Sequence, residues 1–280
     1  MNKFRNLMKS TVSPIALATL LPTFGFLLRL LLDMLLDVEI SKLPISVLNI
    51  PLAAFIAFFI FPKLLKQPFG KVDLPEYTRR LGFYLPLNAW KHVVLGVILA
   101  LCTLAGMLVG SILTGRYVLD WSTINISHTV FSLNPGIWEE LAYRGIIMFV
   151  LLKSKSVRQA ALIQVLLFGL LHIKGVDLWS WVDVISVIVI ALAFTYAAYK
   201  TRTLVAGIVF HFLHDALLFF VQVPEGEYLG FTENMSFYVA LWTMVGVACL
   251  LIRVAAEKLG VQAQAELYQV EQNLTERGTN

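Results

Sequence analysis

Apolar stretches of about 20 residues recur along the whole chain, separated by short polar connections, and this spacing dictates its solvent. A helix needs roughly 20 mainly apolar residues to cross the hydrocarbon core of a bilayer, and backbone groups there must be satisfied within helices or closed barrels. Hydropathy places spans at Pro14 to Leu32, Leu43 to Phe61, His92 to Leu113, Ile126 to Leu152, Val157 to Ile173, Trp181 to Tyr199, Leu204 to Val221 and Phe237 to Ile252. The expected fold is therefore all-α: a polytopic transmembrane helical bundle of eight helices occupying residues 1–256, with a polar cytoplasmic tail at 257–280. With 58% hydrophobic and 14% charged residues, the chain has no segment left for a large water-soluble domain.

The charges between the spans supply an orientation, because Lys and Arg of short loops concentrate on the cytoplasmic side. Basic clusters fall at Lys3, Arg5 and Lys9, at Lys63, Lys66, Lys71, Arg79 and Arg80, at Lys153, Lys155 and Arg158, at Lys200 and Arg202, and after Arg253. The alternate connections carry Asp33, Asp37 and Glu39, then Asp120, then Asp177 and Asp183, then Glu225, Glu227 and Glu233. This alternation predicts an integral membrane protein with both termini cytoplasmic, in a plasma membrane of prokaryotic type. The first span is longer than a signal-peptide core and lacks a small-residue cleavage site, so it is expected to stay as an anchor. Between Pro62 and Trp90, the stretch Tyr77 to Phe83 lies among Pro68, Gly70, Pro75 and Pro86, which suits either a segment lying on the cytoplasmic surface or a plain linker. The tail from Glu257 to Asn280 is Gln/Glu-rich and is expected to extend as a short helix that frays. Cys102 and Cys249 lie in apolar runs and receive no chemistry; without paired-Cys spacing or a Gly-rich phosphate loop, no nucleotide or nucleic-acid partner is expected.

Ionisable side chains at membrane depth are costly and need a partner or a task. The fourth span reads Trp138-Glu139-Glu140-Leu141-Ala142-Tyr143-Arg144-Gly145. Helix geometry puts Glu140 and Arg144 one turn apart, close enough to pair, and turns Glu139 about 100° away. One acid is then neutralised, and the other is the candidate general base for a water molecule. The competing reading is a structural ion-pair cluster that locks helices together. Phe168 and His172 share a face at the end of the fifth span, and His211 and Asp215 share a face in the seventh. A carboxylate beside an imidazole fixes its tautomer, leaving the other ring nitrogen able to donate to an oxyanion. His214 is expected to face elsewhere and serve packing or an interhelical hydrogen bond.

Glu139-Glu140-x-x-x-Arg144, Phe168-x-x-x-His172 and His211-x-x-x-Asp215, in this order on separate spans, resemble the motifs of the CPBP (Abi) family of type II CAAX prenyl endopeptidases and bacteriocin-processing or immunity proteins. The motifs lie between Pro135 and Phe219, within a core of about residues 90–222. The resemblance implies an intramembrane glutamate endopeptidase that hydrolyses peptide or lipidated-protein substrates within the membrane, prenylated CAAX-type substrates included. By that analogy Glu139 activates water with help from His172, His211 and Asp215 stabilise the oxyanion, and Glu140, Arg144 and Phe168 support the site. The family also carries Asn at the position of Asp215, and an ionised Asp cannot donate as Asn can.

No cofactor is expected. The chain lacks a His-Glu-x-x-His motif, yet Glu140, His172 and His211 could supply a three-ligand zinc site with one open position. Acid, Arg and His groups inside a bundle also serve ion-coupled transporters, although the sequence shows no internal repeat; a non-catalytic scaffold or immunity protein is a further alternative.

Overall fold

The computed structural model of the chain describes residues 12–23, 34, 51–64, 74–115, 118–123, 126–218, 220–222 and 230–261. Helices dominate: α1 (Ser13–Thr19), α2 (Pro51–Lys63), α3 (Leu74–Arg80), α4 (Ala89–Thr114), α5 (Ile126–Glu140), α6 (Met148–Leu152), α7 (Val157–Leu170), α8 (Leu178–Thr201), α9 (Val205–Leu218) and α10 (Phe231–Lys258). The strands β1 (Val118–Leu119) and β2 (Val221–Gln222) form one small antiparallel pair. The all-α bundle is thus the fold observed, and every span predicted from His92 onward is helical over most of its length. Among the described residues, α4, α8 and α10 are long and apolar enough to cross a membrane by length and composition, whereas α2, α7 and α9 are shorter apolar helices. Residues 24–32 of the first predicted span, the start of the second and the tail beyond residue 261 lie outside the described residues.

Local chemistry sets the helix ends. Ser156 and Gln159 form a reciprocal capping box at the start of α7, and the Asp177 carboxylate accepts the Trp179 and Ser180 amides at the start of α8. α5 does not stop at Glu140 but runs through a π-helical segment, Leu141–Ile147, into α6. Such widened turns occur frequently at functional sites.

Two apolar cores meet at this segment. One gathers α1, α2, α3 and α7 around residues 141–151; the other joins α4, α8, α9 and α10 through Leu95, Leu99, Phe194, Phe210, Val245 and Ile252. The helices of the second core approach through small residues, the usual device in lipid, where backbones must come close. A Cβ added at Gly96 would lie 2.7 Å from the Ala206 carbonyl oxygen, and one at Gly110 would lie 2.7 Å from the Phe237 ring.

The Tyr77 to Phe83 segment is docked into the bundle, not laid over it. Tyr77 is buried and its hydroxyl donates to the Ala57 carbonyl of α2 (3.0 Å), while the Leu204 amide donates to the Gly82 carbonyl (2.8 Å). Gly82 makes this turn at φ +72°, a conformation that suits glycine. On the outer side of α3, Glu76 pairs with Arg79 (2.7 Å) and Arg80 (2.8 Å), and these guanidiniums lower its carboxyl pKa from 4.5 to about 2. A lowered folded-state pKa contributes stability above the unfolded value that is lost as pH falls through the folded one. Melting of the purified protein should therefore lose up to about 1 kcal/mol between pH 4.5 and 2 through this pair, and Glu76→Gln should remove that increment.

Candidate active site

The cluster is built on three neighbouring elements: the end of α5 with its π-helical continuation, the end of α7, and α9. Glu140 and Arg144 lie one turn apart and pair at 3.1 Å, with side-chain exposures of 0% and 1%. The second terminal nitrogen of Arg144 donates to the Ala191 carbonyl of α8 at 3.3 Å. Its guanidinium carbon lies over the rings of Phe168 and Phe194, 4.5 and 4.8 Å from their centres. Two aromatic faces and one carboxylate thus hold a cation that lipid alone would not tolerate.

His211 crosses from α9 to the same carboxylate. Its Nδ1 lies 3.0 Å from Glu140 Oε1, and its Nε2 lies 3.6 Å from both Glu139 Oε2 and Asp215 Oδ2. The ring stacks on Phe194 at 4.7 Å. Since a carboxylate accepts, Nδ1 is the nitrogen that donates to Glu140, and Nε2 points into the space between Glu139 and Asp215. Sequence reasoning gave the orienting role to Asp215; the closer contact is to Glu140, which approaches α9 over Gly207, where no Cβ stands in the way. His214 packs against Phe210 at 6.0 Å, on another side of α9.

His172 stands just beyond the end of α7, with Nδ1 2.7 Å from the Phe168 carbonyl oxygen. A carbonyl only accepts, so Nδ1 carries the hydrogen, and the neutral ring offers Nε2 as an acceptor. Phe168 ties the pieces together: its ring meets those of His172 at 4.7 Å, Tyr143 at 4.8 Å and His211 at 6.2 Å. Glu139 and Asp215 keep side-chain exposures of 18% and 26%, so the two acids facing Nε2 are the ones that outside molecules can reach.

These contacts differ from a zinc cage. Glu140 Oε1 already holds Arg144 and His211 Nδ1, and among the described residues no three His, Cys, Asp or Glu side chains converge as a ligand set. The set Glu140, His172 and His211 therefore does not fit a metal in this geometry.

Phe194, the Ala191 carbonyl and Gly207 were not singled out from sequence. Phe194 and Ala191 sit in an unbroken apolar run with no signal of their own, but Gly207 lies one turn before His211 on the same face, and a small residue there could have marked a close approach. A Cβ added at Gly207 would lie 2.6 Å from Glu140 Oε2. Gly207→Ala must displace a carboxylate held by two partners. We expect about 1–3 kcal/mol of destabilisation from overpacking, but a fall in turnover on the order of 10²-fold, because His211 moves with Glu140. Melting and turnover of the same preparation check this.

No curated protein and no solved structure matches the chain. A family model does: that of Rce1-like, type II CAAX prenyl endopeptidases, over residues 121–217. The segment that carries Glu139, Glu140, Arg144, Phe168, His172, His211 and Asp215 is thus Rce1-like, in agreement with the CAAX endopeptidase family that its three motifs resemble.

Proposed function

We propose that the protein is an intramembrane endopeptidase that cleaves peptide bonds of membrane-associated substrates, prenylated CAAX-type peptides among the candidates, with a water activated by Glu139. The observation that carries this reading is the division of labour between adjacent acids: Glu140 is consumed by Arg144 and His211, while Glu139 is partly exposed and faces His211 Nε2. In this mechanism Glu139 takes a proton from the water as its oxygen bonds to the scissile carbonyl carbon. His172 accepts a hydrogen bond from the water through Nε2 and so fixes its direction. The carbonyl oxygen becomes an oxyanion, which His211 Nε2 stabilises; because Nδ1 donates to Glu140, this donation uses the imidazolium form. The tetrahedral centre collapses, the C–N bond breaks, and Glu139 returns its proton to the departing amine. Asp215 holds Nε2 on the side opposite Glu139. Glu140, Arg144 and Phe168 are positioning residues.

The test is cleavage in detergent of a fluorogenic farnesylated CAAX peptide and of an unprenylated transmembrane peptide, by wild type and Glu139→Ala, with and without chelator. Cleavage that disappears in Glu139→Ala and is indifferent to chelator is the expected result. Loss of activity on chelation and its return with zinc would replace this mechanism by a metal-dependent one. Folded wild type that cleaves neither peptide would remove the support for proteolysis.

A further inference from the structure

The candidate site lies toward one end of the bundle, and the distribution of charge says which side of the membrane that end faces. Lys153, Lys155 and Arg158 flank the α6–α7 connection, and Lys200 and Arg202 close α8. The same end carries Arg80, beside the Gly82 carbonyl that binds the amide of Leu204. The opposite connections carry Asp120 and Asp177, with Asp183 in the second turn of α8 and single basic residues such as Lys174. Short loops rich in Lys and Arg stay in the cytoplasm, so the basic end is the cytoplasmic one.

Measured along the helices, the site is remote from that end. His172 follows Val157 by 15 residues and so stands at the far end of its helix, while Glu139, 14 residues before Lys153 and 13 after Ile126, sits at the middle of its span. At 1.5 Å per residue each lies about 21–23 Å from the basic connection. His172 stands past the last turn of α7, five residues before Asp177, and Asp215 lies in the last turn of α9.

The path from the basic end is also closed. Every residue from Glu140 to Leu151 is buried. A cavity of ≈ 60 Å³ enters between Arg80, Arg202 and Phe149, but it reaches only Arg144; none of Glu139, His172, His211 and Asp215 lines it. Between that cavity and Glu139 stand the Glu140–Arg144 pair and the rings of Phe168 and Phe194.

We propose that the site is entered from the non-cytoplasmic face, and that its substrate is a membrane-anchored peptide whose scissile segment lies at that interface. A prenylated tail held in the cytoplasmic leaflet would approach the sealed, basic end, and it is not the substrate in an intact membrane. This inference rests on the proteolytic reading above and narrows it.

Two measurements test it. The first places single cysteines at Val176→Cys and Ser154→Cys, two exposed positions at opposite ends, on a Cys102→Ala, Cys249→Ala background. A membrane-impermeant maleimide should label Val176→Cys only in intact cells or spheroplasts and Ser154→Cys only in inverted vesicles; the reverse pattern overturns the orientation. The second uses unaltered protein and a transmembrane fluorogenic peptide whose cleavable end carries a large impermeant polar tail. Cleavage should occur when the peptide is added to spheroplasts, be lost with inverted vesicles, and return in those vesicles once detergent opens them. Cleavage by sealed inverted vesicles overturns the proposed access. Absence of cleavage even in detergent overturns the proteolytic reading itself, which keeps the two failures apart.

Discussion

Glu140→Gln should lower the stability of the purified protein by about 3–5 kcal/mol, the cost of leaving a buried charge without its partner. Both members of the Glu140–Arg144 pair are almost wholly withdrawn from solvent, so neither can recover hydration when the other is lost. Arg144→Met should cost a similar amount, since it leaves the Glu140 carboxylate with His211 alone. The double variant should be clearly more stable than the sum of the single changes predicts, because no orphaned charge remains and the thioether fits between Phe168 and Phe194. Denaturant or thermal melts in one detergent, arranged as a double-mutant cycle, read this coupling. Additive losses would mean that other groups neutralise Arg144 and that the pair is not the pin between the two cores.

The architecture was legible because lipid imposes the simplest of sequence rules. Apolar runs of spanning length foretold the helices from α4 to α10, and the Glu140–Arg144 contact followed from helical spacing alone. Three features were not legible for stated reasons. The π-helical segment at Leu141–Ile147 has no composition that separates it from α-helix, and it depends on what packs against it. The docking of Tyr77 depends on a carbonyl of α2 that sits 20 residues away in sequence. The Glu140 partner of His211 was missed because spacing reports only neighbours on one helix: it offers Asp215 at one turn, which stands 3.6 Å from Nε2, while the Glu140 contact to Nδ1 comes from another helix at a separation of 71 residues. Motif order correctly singled out the side chains that meet, but which acid holds which nitrogen is a property of how helices cross.

That distinction sets the largest functional effect expected. Glu139→Gln keeps the size and hydrogen-bonding capacity of the side chain but removes its ability to take a proton, so turnover should fall by about 10²–10⁴-fold. The melt should stay within about 1 kcal/mol of wild type, because Glu139 faces His211 Nε2 at 3.6 Å, too far for a tight pair to be broken. Asp215 faces the same nitrogen at the same distance, so it is the rival for the role of base. Asp215→Asn separates the two. If Asp215 only braces His211, the amide serves nearly as well, and turnover should remain within about tenfold of wild type, whereas Asp215→Ala, which leaves Nε2 without that support, should lose on the order of 10²-fold. Equal losses in Asp215→Asn and Asp215→Ala, together with activity retained in Glu139→Gln, would transfer the base to α9. The geometry favours Glu139 for a reason independent of the motifs: it is adjacent to the fixed Glu140, so the helix turn that locks one carboxylate onto Arg144 holds the next in a defined direction beside the imidazole.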